Sequence, residues 1–174
     1  YTTFNIVFLG FVCNETEVGY YTTATKLHAI FIGMFSAFTG VMLPRMSSLI
    51  SEKKIDIFEQ TINKSFNLLF VFALPIVIFT EIFAPQIINI IAGPGYNLAI
   101  TPMRIVMPLI MIIGYEQILV LQILMPMKQD KQILIGSCIG AFVGIICNVL
   151  LVKTLKSTGS AIAWLISELT VLII

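Results

Sequence analysis

Charge is what this sequence has least of. Asp, Glu, Lys and Arg make up 11% of its 174 residues, less than half of the roughly 25% usual in soluble globular domains. A water-facing surface cannot be built from so few. With 58% hydrophobic residues and a mean hydropathy of +1.01, the main solvent is lipid. The net charge is +1, so the sequence shows neither the basic footprint of a nucleic-acid binder nor an acidic tail. Cysteine is limited to Cys13, Cys138 and Cys147. The count is odd, and no disulfide framework or metal-ligand spacing appears. All three read as small buried hydrophobes. The single histidine, His28, reads as a packing residue. The sequence has no nucleophile–base pair, no glycine-rich phosphate loop and no metal cluster, so no catalytic residue, cofactor or metal is expected. Asn14-Glu15-Thr16 matches a glycosylation sequon, a pattern that chance supplies often. No signal peptide is visible.

What the sequence does have is long apolar runs. A helix needs about 20 apolar residues to cross the hydrocarbon core. Four runs meet this in full: Tyr20–Leu43, Phe66–Ala92, Thr101–Met125 and Ile133–Val152. Thr3–Val12 and Gly159–Ile174 flank them as partial ones. A barrel strand would alternate polar and apolar residues over about ten positions, whereas these runs are apolar on every side. The reading is an all-α polytopic transmembrane helical bundle of about six segments over residues 1–174. The chain begins and ends inside apolar runs, with no initiator Met, so a fragment of a longer protein is expected.

The connections are short and polar, which makes neighbouring helices antiparallel. Residues 13–19 form a turn. Ser51-Glu52-Lys53-Lys54 opens a longer loop, and Ile55–Lys64 reads as an interfacial lead-in helix. Gly93-Pro94-Gly95-Tyr96 breaks a helix, and Pro102 fits the first turn of the next one. Met127–Gln132 and Lys153–Ser160 are the last two loops. Lys53, Lys54, Lys128 and Lys131, with Arg45 and Lys64, fall on one side. Lys153, Lys156, Lys26 and Arg104 fall on the other. The larger group places residues 51–59 and 127–132 in the cytoplasm.

Small residues four apart allow close helix approach in lipid, and Gly136, Gly140 and Gly144 form such a ridge, continued by Asn148. Gly33 with Ala37 and Ser36 with Gly40 form a weaker one. Pro75, Pro85 and Pro108 lie inside apolar runs, where each removes a backbone hydrogen bond and bends its helix. Such a bend serves either packing or a cavity. Glu81, Glu116 and Glu168 lie within apolar segments, and Lys26 and Arg104 about one turn inside theirs. A charge at the bilayer centre costs at least about 2.5 kcal/mol on insertion scales, so a partner or a wet cavity is expected. Snorkelling to lipid headgroups is the alternative for Lys26 and Arg104. At helical spacing Arg104, Met111, Tyr115 and Gln122 share one stripe, with Glu116 about 100° away.

Several phrases resemble the polysaccharide-biosynthesis, O-antigen-type flippases of the multidrug/oligosaccharidyl-lipid/polysaccharide exporter superfamily. They are EVGYYTTATKL from Glu17 to Leu27, VMLPRMSSL from Val41 to Leu49, the Ile87–Tyr96 segment ending AGPGY, QILMP from Gln122 to Pro126, and Gly159–Glu168. Their order covers nearly the whole chain. Asn5 is a departure, because the family often has Asp five residues before Gly10. The resemblance implies the C-terminal lobe of a two-lobe transporter in the bacterial cytoplasmic membrane. The implied function is alternating-access flipping of an undecaprenyl-pyrophosphate-linked oligosaccharide. Lys26, Arg45 and Arg104 would face the diphosphate, and Tyr115, Gln117 and Gln122 the glycan, with Glu116 beside them. Membrane lipid and the lipid-linked substrate are the implied partners, along with polysaccharide polymerase and chain-length machinery. A cation-coupled multidrug exporter of the same superfamily is the main alternative, preferring an acidic cavity. A membrane-embedded lipid-modifying enzyme would need an acid–base or metal constellation that the sequence does not show.

Overall fold

A computed structural model describes residues 2–174. Helix α1 (Thr2–Val12) leads into α2 (Glu15–Ser51) through a two-residue turn. Asn14 sets the start of α2, because its side-chain oxygen accepts a 3.0 Å hydrogen bond from the Glu17 N–H. Glu15 and Glu17 in the first turn complement the positive end of the helix dipole. At 37 residues, α2 is about 55 Å long and runs well past Leu43, carrying Pro44 and Arg45 in its last turns. It stops where Lys53 takes φ 57°. There Glu52 meets Lys54 at 2.6 Å and the Ser48 hydroxyl at 2.7 Å. The nearby Lys54 ammonium holds the Glu52 carboxyl below the usual carboxylate range.

Helix α3 (Ile55–Ala92) is continuous. The lead-in helix expected at Ile55–Lys64 is helical and continuous with the apolar run that follows, with Phe58 and Thr61 buried. Pro75 and Pro85 lie inside α3. Gly93 (φ 80°) and Gly95 (φ 111°) end it in backbone conformations that side-chain-bearing residues rarely adopt. The next crossing has several pieces: a 3₁₀ turn at Asn97–Ala99, α4 (Ile100–Val106), α5 (Leu109–Gln117) and a π-helical stretch Ile118–Leu124. Pro108 separates α4 from α5, and the Met125 N–H reaches back to the Val120 carbonyl, the longer π spacing.

Helix α6 (Asp130–Ile173) is broken by Lys156 (φ 52°, ψ −127°). The broad loop expected at Lys153–Ser160 is therefore a single-residue break in otherwise helical chain. The two arms double back on each other. Ser167 Oγ donates to the Gly140 carbonyl at 2.8 Å, and Ser160 Oγ to Asn148 Oδ1 at 3.4 Å. An added Cβ at Gly159 would lie 2.7 Å from the Leu151 carbonyl oxygen, so the arms meet at backbone distance. Among the described residues there is no strand. The helices α2, α3 and α6, and the 97–124 run, are long and apolar enough to cross a membrane. Because α6 folds into two arms and α1 adds a short apolar helix, the chain is an all-α multi-pass bundle of the six segments expected.

The broken α4–α5–π crossing is central. One side of it (Met103, Met107, Ile110, Ile118) packs with Phe35 of α2 and Leu69 and Ala73 of α3. The other (Val106, Leu109) packs with Leu9, Tyr21, Val152 and Trp164. Gly136, Gly140, Gly144 and Asn148 are all buried, along the arm that receives Ser160 and Ser167. Gly33 and Gly40 differ: a Cβ there would meet nothing within 4 Å, so the two glycines of the weaker ridge on α2 are not at a close helix approach. Val41, Val71, Ile90, Phe142 and Leu150 are largely exposed, as lipid-facing side chains are.

Candidate functional site

Polar groups inside the apolar bundle fall into separate clusters. The most enclosed joins α1, α2 and α6. Asn5 Nδ2 donates to the Tyr21 hydroxyl at 2.9 Å, and Asn148 Nδ2 donates both to Asn5 Oδ1 and to the Gly144 carbonyl at 2.9 Å. All of these side chains are buried. The network is neutral and internally paired, and its chemistry is that of a tie between helices.

A second cluster links α2 to the end of α5. Gln117 Nε2 donates to Ser36 Oγ at 2.7 Å, and the Thr39 hydroxyl donates to Gln117 Oε1 at 3.1 Å. Neighbouring Glu116 faces the other way round the helix, toward α6. There its carboxyl meets that of Glu168, and Trp164 Nε1 donates to Glu168 Oε1 at 2.7 Å. The His28 ring stands edge-on to Trp164, with centroids 5.0 Å apart. Glu116 Oε1 is buried and has no hydrogen-bond partner. Glu116 lines two cavities, one of about 310 Å³ with Gln132 and Gly136 and one of about 270 Å³ with Ser36 and Gln117.

The cations are more dispersed than the sequence suggested. Arg104 reaches Glu81 of α3, with Nε 4.0 Å from Oε2. Lys26 is exposed on α2 and forms no ion pair among the described residues. Arg45 is exposed too, but it stands roughly 28 Å further along the same helix at 1.5 Å per residue. The three cations therefore do not form one group. Lys156 and Glu17 pair at 3.4 Å where the chain turns, and Glu17 also accepts from the Ser157 hydroxyl at 2.7 Å.

The Arg104–Met111–Tyr115–Gln122 stripe is not continuous. Arg104 and Tyr115 are exposed, Met111 is half-buried and Gln122 is fully buried with neither amide atom paired. The break at Pro108 and the π stretch that contains Gln122 shift the register on which the stripe was projected. Tyr115 packs on Phe66 of α3, with ring centroids 4.7 Å apart. Sequence reasoning singled out Glu81 and Glu168 as charges within apolar runs but could not see their partners. Ser36 and Thr39 carried no signal, because isolated hydroxyls in an apolar helix are common and bond to their own backbone.

Residues 1–101 match the family described as polysaccharide biosynthesis protein. A protein of Escherichia coli (strain K12), provisionally named an O-antigen transporter, is 25% identical over 171 residues, which is 97% of this chain and 40% of the relative. The chain thus spans two fifths of the length of that curated relative. No solved structure matches.

Proposed function

The chain belongs to the polysaccharide biosynthesis protein family, and on that premise we propose that it is the C-terminal-lobe part of a flippase for an undecaprenyl-pyrophosphate-linked oligosaccharide. The transporter sits in the bacterial cytoplasmic membrane and works by alternating access. The observation that carries this reading is Arg104, a guanidinium half-exposed within a membrane-spanning run and held only by a loose 4.0 Å contact to Glu81, where a cation is costly. A diphosphate in transit needs such a group, and a guanidinium fork suits phosphate oxygens. Lys26, exposed on α2, is a second cation for it, and Arg45 serves at the far end of the same helix. Gln117, with half-buried Ser36 and exposed Tyr115, offers an amide and hydroxyls to sugar hydroxyls. The glycine ridge of Gly136, Gly140 and Gly144 supports the bundle, while Gln122 is fully buried with both amide atoms unpaired. The prenyl chain remains in lipid, so no covalent step is needed. Polysaccharide polymerase and chain-length machinery are the partners this role implies.

The test is complementation. The full-length protein is expressed in a strain lacking its O-antigen flippase, and surface polysaccharide is measured. Restoration is expected, and Arg104→Gln should abolish it while the protein still reaches the membrane. Wild-type protein that inserts but restores nothing would sink the reading. One observation favours a second reading, a cation-coupled multidrug exporter: Glu116 lines two cavities, and its Oε1 is buried without a hydrogen-bond partner. Efflux of cationic dyes without restored polysaccharide would select it.

A further inference from the structure

Arg104 and Glu81 pair across two helical runs that are each long and apolar enough to cross a membrane. The other two ion pairs among the described residues, Lys54–Glu52 and Lys156–Glu17, lie at turns. The Arg104–Glu81 pair is loose. Its 4.0 Å separation is a Coulombic contact, beyond hydrogen-bonding distance. Arg104 carries five N–H donors, and within the described residues Glu81 is its sole partner. Glu81 is equally underused, since its second oxygen, Oε1, is buried and has no hydrogen-bond partner. The two side chains are 47% and 35% exposed, so the contact is open to an incoming group. The backbone beneath Glu81 is weakened as well. The Pro85 nitrogen has no hydrogen to offer the Glu81 carbonyl.

A pair built only for stability would draw the guanidinium and the carboxylate into a bidentate, hydrogen-bonded fork. Here the charges cancel while the donors stay unspent. A phosphate-type oxyanion could take both N–H edges of the fork and outcompete the carboxylate for them.

We propose that Glu81 is a displaceable counter-ion. It neutralises Arg104 while the site is empty, and a phosphate-type oxyanion takes its place on the guanidinium during transport. The inference rests on the flippase reading for the identity of that anion, the diphosphate of the lipid-linked substrate. A lipid headgroup phosphate has the same chemistry, so the test separates the two. When the anion leaves, Glu81 returns to Arg104, which favours release over retention.

The experiment uses the full-length protein in nanodiscs of phosphatidylcholine, with and without phosphatidylglycerol, and undecaprenyl pyrophosphate as the probe. Glu81→Gln removes both the competitor and a like charge near the anion. Binding should tighten about two- to fivefold, the range of exposed pair energies, and single-turnover flipping should slow. Arg104→Gln should weaken binding, and the double variant should behave as Arg104→Gln. Glu81→Asp should keep wild-type behaviour, and Glu81→Ser should show the same sign as Glu81→Gln if the latter does not fold. Weakened binding in Glu81→Gln would make Glu81 a positioning residue for Arg104 and overturn the proposal. So would unchanged binding. Tighter retention of phosphatidylglycerol alone would assign the anion to the bilayer and overturn the transport role. If wild-type protein binds no prenyl pyrophosphate and Arg104→Gln changes nothing, the flippase reading falls with it.

Discussion

The Ser167 hydroxyl donates a 2.8 Å hydrogen bond to the carbonyl of Gly140, 27 residues earlier in the chain. That contact closes α6 into a hairpin whose arms approach along Gly136, Gly140, Gly144 and Asn148. Hydrophobic association contributes little between helices in lipid, so close packing and interhelical hydrogen bonds hold such arms together. The bare carbonyl of a glycine is reachable because no side chain shields it.

The hairpin is least tolerant at Gly159. An added Cβ would lie 2.7 Å from the Leu151 carbonyl oxygen and 3.1 Å from the Val152 nitrogen, and backbone cannot yield as a side chain would. Gly159→Ala should cost about 1–3 kcal/mol, as overpacking does, and lower the yield of monodisperse protein in detergent. Gly33→Ala, with nothing within 4 Å, is the control and should leave yield unchanged. Equal yields for the two variants would mean the arms are further apart than described.

Asn148 ties three partners together: Asn5, the Gly144 carbonyl and Ser160. Asn148→Leu strands Asn5 Oδ1 in an apolar interior. Interhelical hydrogen bonds in membranes average about 0.6 kcal/mol and reach about 2, so the melting temperature in detergent should fall measurably. An unchanged or higher melting temperature would show the network to be dispensable.

The loop charges place residues 51–59 in the cytoplasm and residues 93–100 outside. An impermeant thiol reagent applied to intact cells should therefore label Tyr96→Cys and not Lys53→Cys. The reverse pattern would invert every side assignment made from the lysines and arginines.

Cys13 sits in the turn between α1 and α2. Burial pushes its thiol above the ordinary range, the nearby Glu17 carboxylate raises it further, and Lys156 opposes them. A raised value means less thiolate at neutral pH. Maleimide modification of Cys13, followed by peptide mass spectrometry, should be slow at pH 7 and accelerate as pH rises past about 9. A rate already at its plateau at pH 7 would contradict this environment.

Much of the bundle was legible because lipid imposes one strong rule: backbone polar groups must be satisfied within the segment. Phe66–Ala92 and Tyr20–Leu43 could only be helices, and Gly93-Pro94-Gly95 could only end one. The lengths were less legible. Helix α2 runs on through Pro44 to Ser51 and α3 begins at Ile55, because polar side chains at a membrane face do not by themselves stop a helix. The turn at Lys156 was underestimated in sharpness, since one residue at φ 52° leaves no compositional trace.

The candidate site divides the same way. Glu81, Arg104, Glu116 and Glu168 stood out because charge is scarce in apolar runs. Which of them meet depended on the path of the chain. The sequence alone determined that this protein is a membrane helical bundle, roughly where it crosses, and which residues could not be left unpartnered, because those properties follow from local hydropathy and backbone hydrogen bonding. Only the tertiary structure decided that Arg104 meets Glu81 rather than Lys26 or Arg45, that Gln117 belongs to Ser36 and Thr39, and that Gln122 is buried. Those pairings turn on how separate helices pack, and the place of Gln122 also on the π-helical turns, which a projection at a uniform 3.6 residues per turn cannot contain.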